Sequence, residues 1–205
     1  MVSPESNQPV GCCSRRRLLL AGVTAISIAG CADDPYGEAG GDDSDENGAR
    51  RYTLEDHPID EPVAFIDEQE CTVCSMTVTD YPDWMGQLAH DDGTGKFFCS
   101  PGCLVAYYAA PDHPPFEGSD RGIVAAWTSA YGTGELIDAT EASFVLDRER
   151  ATPNEPMAPN PRPFADHEMA AAFVDDRTDL SGDDVVDLAA FDLELARLYR
   201  EPRLP

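Results

Sequence analysis

The sequence predicts an α+β fold made of two small units of β-β-α order. Three observations carry that expectation. A hairpin with a glycine-containing turn runs straight into a capped helix, the later strands and helices alternate without a regular β-α-β rhythm, and a proline-rich stretch breaks up the second half. The 205 residues are enough for one ordinary domain or two small ones.

The first unit is expected over residues 51–112. Residues 86–90 and 96–99 flank Asp91-Asp92-Gly93-Thr94-Gly95, the pattern of a β-hairpin with a glycine-containing turn. Ser100 is suited to cap a helix and Pro101 to occupy its first position. That helix continues through Leu104, Tyr107 and Tyr108 and stops before Pro111. The second unit is expected over residues 118–200, after Pro114-Pro115. Residues 122–128 read as a strand, 132–134 as a turn, and 136–137 and 143–146 as further strands. The segment 152–163 holds five prolines and is expected to be irregular and mostly exposed. Asp166 caps a helix carrying Met169, Ala172 and Phe173 on one side. Residues 185–188 suggest a strand and 191–199 a terminal helix. Similarity between the halves is too weak to make them a repeat.

Residues 1–30 read as an export signal: Ser14-Arg15-Arg16-Arg17, an apolar run from Leu18 to Ala29, and small residues at its end. The run is too short for a bilayer core, which takes about 20 apolar residues. Arg15 and Arg16 resemble the pair of a twin-arginine signal, which exports chains already folded. Ile28-Ala29-Gly30-Cys31 resembles a lipobox, so Cys31 is expected to carry the lipid and become the mature N-terminus. This predicts a lipid anchor at the extracytoplasmic face of the cell membrane. Residues 31–50 are acidic, rich in glycine and poor in large apolar groups, as a flexible tether would be.

The net charge is −25, and the first thirty residues hold three arginines against one glutamate, leaving −27 on the rest. Such a charge repels phosphates and disfavours a nucleic-acid partner. With Lys96 as its single lysine, the composition suits the salt-rich surroundings of a halophile, where self-repulsion is screened.

Seven cysteines are present; Cys12 and Cys13 leave with the signal and Cys31 takes the lipid. Four remain, as Cys71-Thr72-Val73-Cys74 and Cys99-Ser100-Pro101-Gly102-Cys103, with Met76 two residues beyond Cys74. Three readings stay open. Two disulfides suit an even cysteine count outside the cytoplasm. Four thiolates in two close pairs suit a tetrahedral zinc ion. Thiolate and thioether together select copper(I), and an extended segment would put the sulfurs of Cys74 and Met76 on one face. The helix N-terminus at Cys99 and Cys103 favours thiolates in either metal site and in thiol exchange. A thiol oxidoreductase is a weaker alternative, because this CxxC does not open a helix after a strand. His90 on the hairpin is a candidate nitrogen ligand, whereas His57, His113 and His167 read as surface groups. Trp84-Met85 and Tyr107-Tyr108 read as core, with Met85 a spare thioether near the site. No nucleophile-base-acid set, phosphate loop or carboxylate pair is visible, so no enzyme is expected.

Cys71-Thr72-Val73-Cys74-Ser75-Met76-Thr77-Val78-Thr79-Asp80-Tyr81-Pro82, then Gly86-Gln87, Phe97-Phe98-Cys99-Ser100, Glu155-Pro156-Met157 and Pro163-Phe164 resemble the NosL family. These are lipid-anchored accessory proteins of nitrous oxide reductase maturation. The resemblance implies two small β-β-α-β domains, Cu(I) binding, and copper delivery to the reductase through a membrane ABC-type complex. It matches Cys74 and Met76 to the family's ligand motif and makes Met157 a candidate third ligand. The sequence departs from the family at Ser75, where glycine is usual, and at Cys103, which makes a Cys71/Cys74/Cys99/Cys103 cluster possible. That cluster also resembles zinc modules of metal-trafficking proteins.

Overall fold

The hairpin of the first half forms as β2 (Gly86–His90) and β3 (Gly95–Phe98), in a computed structural model that describes residues 52–116, 118 and 121–205. Its turn closes through His90 N–H on the Thr94 carbonyl and Gly93 N–H on the His90 carbonyl, with Gly93 at φ 81°. Short β1 (Thr53–Leu54) pairs with the outer edge of β3. β4 (Ile123–Ser129) lies on the other side of β2, with Leu88 opposite Ala126, and β5 (Leu136–Asp138) completes an antiparallel sheet in the order β1-β3-β2-β4-β5. The sheet therefore runs across the division expected between residues 112 and 118. Every residue of β2 is buried, and a buried strand must satisfy its backbone groups on both edges.

A second, three-stranded sheet has the order β7-β6-β8, from β6 (Ser143–Val145), β7 (Arg162–Phe164) and β8 (Val185–Asp187). The segment before β7 is irregular, as expected, but not mostly exposed: Glu155, Pro156 and residues 160–163 are buried. Their polar groups are paired there, which removes the reason to face water.

Three α-helices complete the described fold. Ser100 caps α1 (Pro101–Ala109) by accepting from Cys103 N–H, and Pro101 opens it, as read from the sequence. α1 is buried from Pro101 to Tyr107, the mark of a helix enclosed on all sides. Asp166 caps α2 (His167–Asp175), accepting from Met169 N–H at 2.8 Å. The buried face of α2 is Ala170 and Val174, with Phe173 half-buried; Met169 and Ala172, expected on that face, are exposed. The short second sheet covers only a narrow stripe of α2. Asp192 caps α3 (Leu193–Arg200), which packs against α1 and buries Ala196, Tyr199 and Arg200.

One apolar core joins both sheets, with Leu88, Phe97, Phe98 and Leu104 alongside Phe144, Leu188 and Phe191. His57, expected at the surface, is 2% exposed. It stacks on Trp127 at 5.6 Å and shares a 2.8 Å hydrogen bond with Gln87 Oε1, over Gly95, where a side chain would strike the imidazole. Among the described residues no helix is long and apolar enough to cross a membrane. The expected signal and tether, with Arg15, Arg16 and Cys31, lie outside the described residues.

Candidate metal centre

The first cysteine pair sits in a tight turn. Ser75 N–H donates to the Cys71 carbonyl and Cys71 N–H to the Met76 carbonyl, each at 2.8 Å. Cys74 and Met76 are therefore on a closed loop and not on one face of an extended segment. Ser75 has φ 61°, in the left-handed region that glycine adopts without strain. Thr72 N–H donates to the Phe97 carbonyl at 2.9 Å, which moors the turn beside the end of β3. Cys99 follows that strand directly, and Cys103 is held in the first turn of α1.

The result is a cluster of Cys71, Cys74, Cys99 and Cys103 whose sulfurs all lie within 4.8 Å of one another. Sγ of Cys74 is 3.4 Å from that of Cys99 and 3.9 Å from that of Cys103; Cys99 and Cys103 are 4.0 Å apart. All four are free cysteines, so the two-disulfide arrangement is not the one present. Cys71, Cys99 and Cys103 are fully buried and Cys74 is half-buried. Burial, then hydrogen bonding with Cys103, pushes the Cys71 thiol well above its ordinary value. Burial acts the same way on Cys103, but hydrogen bonds from the other three thiols and the Arg200 charge outweigh it and hold that thiol well below its usual range. The neighbouring thiols and the Arg200 cation thus favour the thiolate form at Cys103.

Arg200 is the functional neighbour that sequence reading missed. It is 1% exposed, and its Nε donates to Cys103 Sγ at 3.2 Å. Its other nitrogens donate to Ser100 Oγ at 2.7 Å, Asn160 Oδ1 at 2.5 Å and the Met157 and Pro159 carbonyls at 2.9 and 3.0 Å. Asn160 also accepts from Gly102 N–H at 3.2 Å and donates to Glu155 Oε1 at 2.9 Å. Gly102 has to be glycine in this setting: a Cβ there would lie 2.6 Å from Asn160 Oδ1 and 2.7 Å from the Arg200 guanidinium. A glycine inside the CxxxC spacing was the one available signal that something large approaches the helix start.

Met76 and Met157 line one open cleft of about 610 Å³, together with Asp80, Tyr81, Arg150 and Glu155. The two thioethers expected as ligands thus come from opposite halves of the chain to one cleft, and half-buried Cys74 lies two residues before Met76 in the chain. His90 does not join them. It is fully buried, with Nδ1 3.0 Å from the Arg121 carbonyl and Nε2 2.9 Å from Tyr107 Oη, so both ring nitrogens are already engaged.

The sequence profile of the NosL family matches residues 62–187, more than half of the chain. The chain belongs to the NosL family. That stretch contains all four clustered cysteines and both cleft methionines. A copper-binding lipoprotein NosL from Stutzerimonas stutzeri is 37% identical over 90 residues, which is 42% of this chain and 46% of that relative. The match thus spans less than half the length of the curated relative. The copper chaperone NosL from Shewanella denitrificans, a crystal structure, is similar in fold with a TM-score of 0.51 at 18% identity, covering 67% of this chain and 99% of that one. The α+β, NosL-like fold read from the sequence is the observed one, and the four-sulfur cluster has the donor chemistry of a metal site.

Proposed function

We propose that this NosL protein is an exported, lipid-anchored carrier of copper(I) that supplies the maturation of nitrous oxide reductase and performs no catalysis of its own. One observation carries the reading: half-buried Cys74, at the open edge of the sulfur cluster, leads within two residues to Met76, which shares its cleft with Met157. A thiolate and two thioethers form a soft, low-coordinate set that selects Cu(I) over harder ions. Ligands on an open cleft let a partner's sulfurs enter as the carrier's leave, whereas an enclosed ion would be retained. The copper-binding lipoprotein and copper chaperone to which the chain is similar support the same cargo. The lipobox at Cys31 would keep that cargo at the extracytoplasmic face, within reach of the reductase and its ABC-type maturation complex.

The full chain, purified in detergent and reduced, is expected to take up one Cu(I) in competition with a coloured Cu(I) chelator. Met76→Leu and Met157→Leu should each weaken uptake at least tenfold, about 1.4 kcal/mol. Unchanged affinity in both variants would falsify the assignment of the cleft. Separately, Cys31→Ser should move the protein out of the membrane fraction without altering its copper affinity.

A further inference from the structure

The four cysteines form a site that the copper reading does not need in full. We propose that they hold a resident zinc ion, distinct from the copper cargo, which fixes the turn of Cys71 and Cys74 against the start of α1. The zinc half of this proposal stands on the sulfur geometry alone; only its division of labour with copper rests on the function proposed above.

The sulfur separations suit a closed tetrahedron. Four sulfurs at about 2.3 Å from a zinc ion are about 3.8 Å from one another. Here the separations are 3.4, 3.9 and 4.0 Å, with every sulfur within 4.8 Å of the rest. A site with four protein ligands leaves no open position, which is the arrangement of structural and not exchangeable zinc. Three of the four sulfurs are fully buried, so an incoming partner has no path to them. Copper to be handed on needs an open site, and the cleft of Met76 and Met157 provides it. Charge agrees as well. Zinc with four thiolates carries two negative charges in the core, and the Arg200 guanidinium donating to Cys103 Sγ offsets one of them. On binding, each sulfur still protonated gives up its proton to solvent and all four donate to the ion, with no redox change.

The expected twin-arginine signal supplies the occasion. A chain that folds before export assembles this cluster in the reducing cytoplasm, where thiols stay free for zinc. Copper then meets the protein outside. Cys74, the half-buried member and two residues from Met76, retains lone pairs with which its thiolate can bridge to a second soft ion.

The test is metal analysis of the full chain purified in detergent from cells supplied with both metals, before and after treatment with a Cu(I)-specific chelator. One zinc per chain that survives complete removal of copper is the expected result. Absent zinc, or copper surrounded by four sulfurs, overturns the proposal. Replacement of zinc by cobalt(II) should give the visible ligand-field and thiolate-to-metal bands of a tetrahedral four-sulfur site; a six-coordinate cobalt spectrum overturns it without any variant. Cys99→Ser should lower zinc retention at least tenfold, and if that variant does not fold, the cobalt spectrum of the unaltered protein decides. The double variant Met76→Leu with Met157→Leu separates the two claims. Loss of copper with zinc retained supports both sites, zinc without any copper binding in the unaltered protein removes only the carrier reading, and copper without zinc removes only this one.

Discussion

Arg162 and the sulfurs of Cys71, Cys99 and Cys103 are equally hidden from water, but their surroundings differ. Arg162 meets Glu155 at 2.9 Å and Asp147 at 3.3 Å, donates to the Glu149 carbonyl, and lies over the rings of Trp84 and Tyr131 at 5.5 and 5.3 Å. Every charge in that pocket has its partner within the chain. The sulfur cluster brings four ionisable thiols together and supplies a single cation, Arg200, to one of them. Four thiolates gathered there with so little compensation would be unfavourable unless a cation joined them. The contrast separates a buried charge site whose ions are paired within the chain from a sulfur cluster with the donor chemistry of a metal site.

The largest effect should come from emptying the sulfur site. Stripping metal from the full chain is expected to lower stability by more than about 4 kcal/mol. This corresponds to roughly 10 °C in melting temperature for a domain of this size. Calorimetry with and without a strong chelator measures it, and an unmoved transition would break the contrast. Arg162→Met comes next, because it takes from Asp147 and Glu155 the buried guanidinium they share. It should cost about 3–5 kcal/mol by denaturant unfolding. A smaller effect is expected at the seam between the two sites. Gly102→Ala pushes a methyl into Asn160 and Arg200, for a loss of about 1–3 kcal/mol and faster metal release in a chelator chase. The smallest change is a gain: Ser75→Gly relieves a left-handed residue and should stabilise the protein by roughly 0.5–1 kcal/mol in the same unfolding assay.

What the sequence made legible was local. The hairpin turn at Gly93, the Ser100 cap with Pro101, and the cap at Asp166 depend on neighbours within a few residues, and each is where residue chemistry puts it. The four cysteines could be gathered on paper because their spacing carries the signal. Hidden were features set by long-range pairing. Nothing near residue 123 announces that β4 will lie along β2, so the boundary drawn at 112–118 cuts a continuous sheet. His57 and His90 looked available because their partners, Gln87, Trp127, Tyr107 and the Arg121 carbonyl, lie 17 or more residues away. Arg200 is 97 residues from Cys103, and a terminal arginine in an amphipathic helix reads as a solvated charge until α3 is seen packed on α1. The face of α2 was misjudged for a related reason: Ala170 and Val174 are the smaller apolar choice, favoured by close packing on a short sheet.

X-ray absorption at the copper edge of the Cu(I)-loaded full chain tests the central claim most directly, that copper sits on the open sulfur edge formed by Cys74, Met76 and Met157. The account predicts a three-coordinate, all-sulfur shell that loses one sulfur in Met157→Leu and another when Met76→Leu is added. A four-sulfur shell indifferent to both methionines, or a shell containing histidine nitrogen, would contradict it.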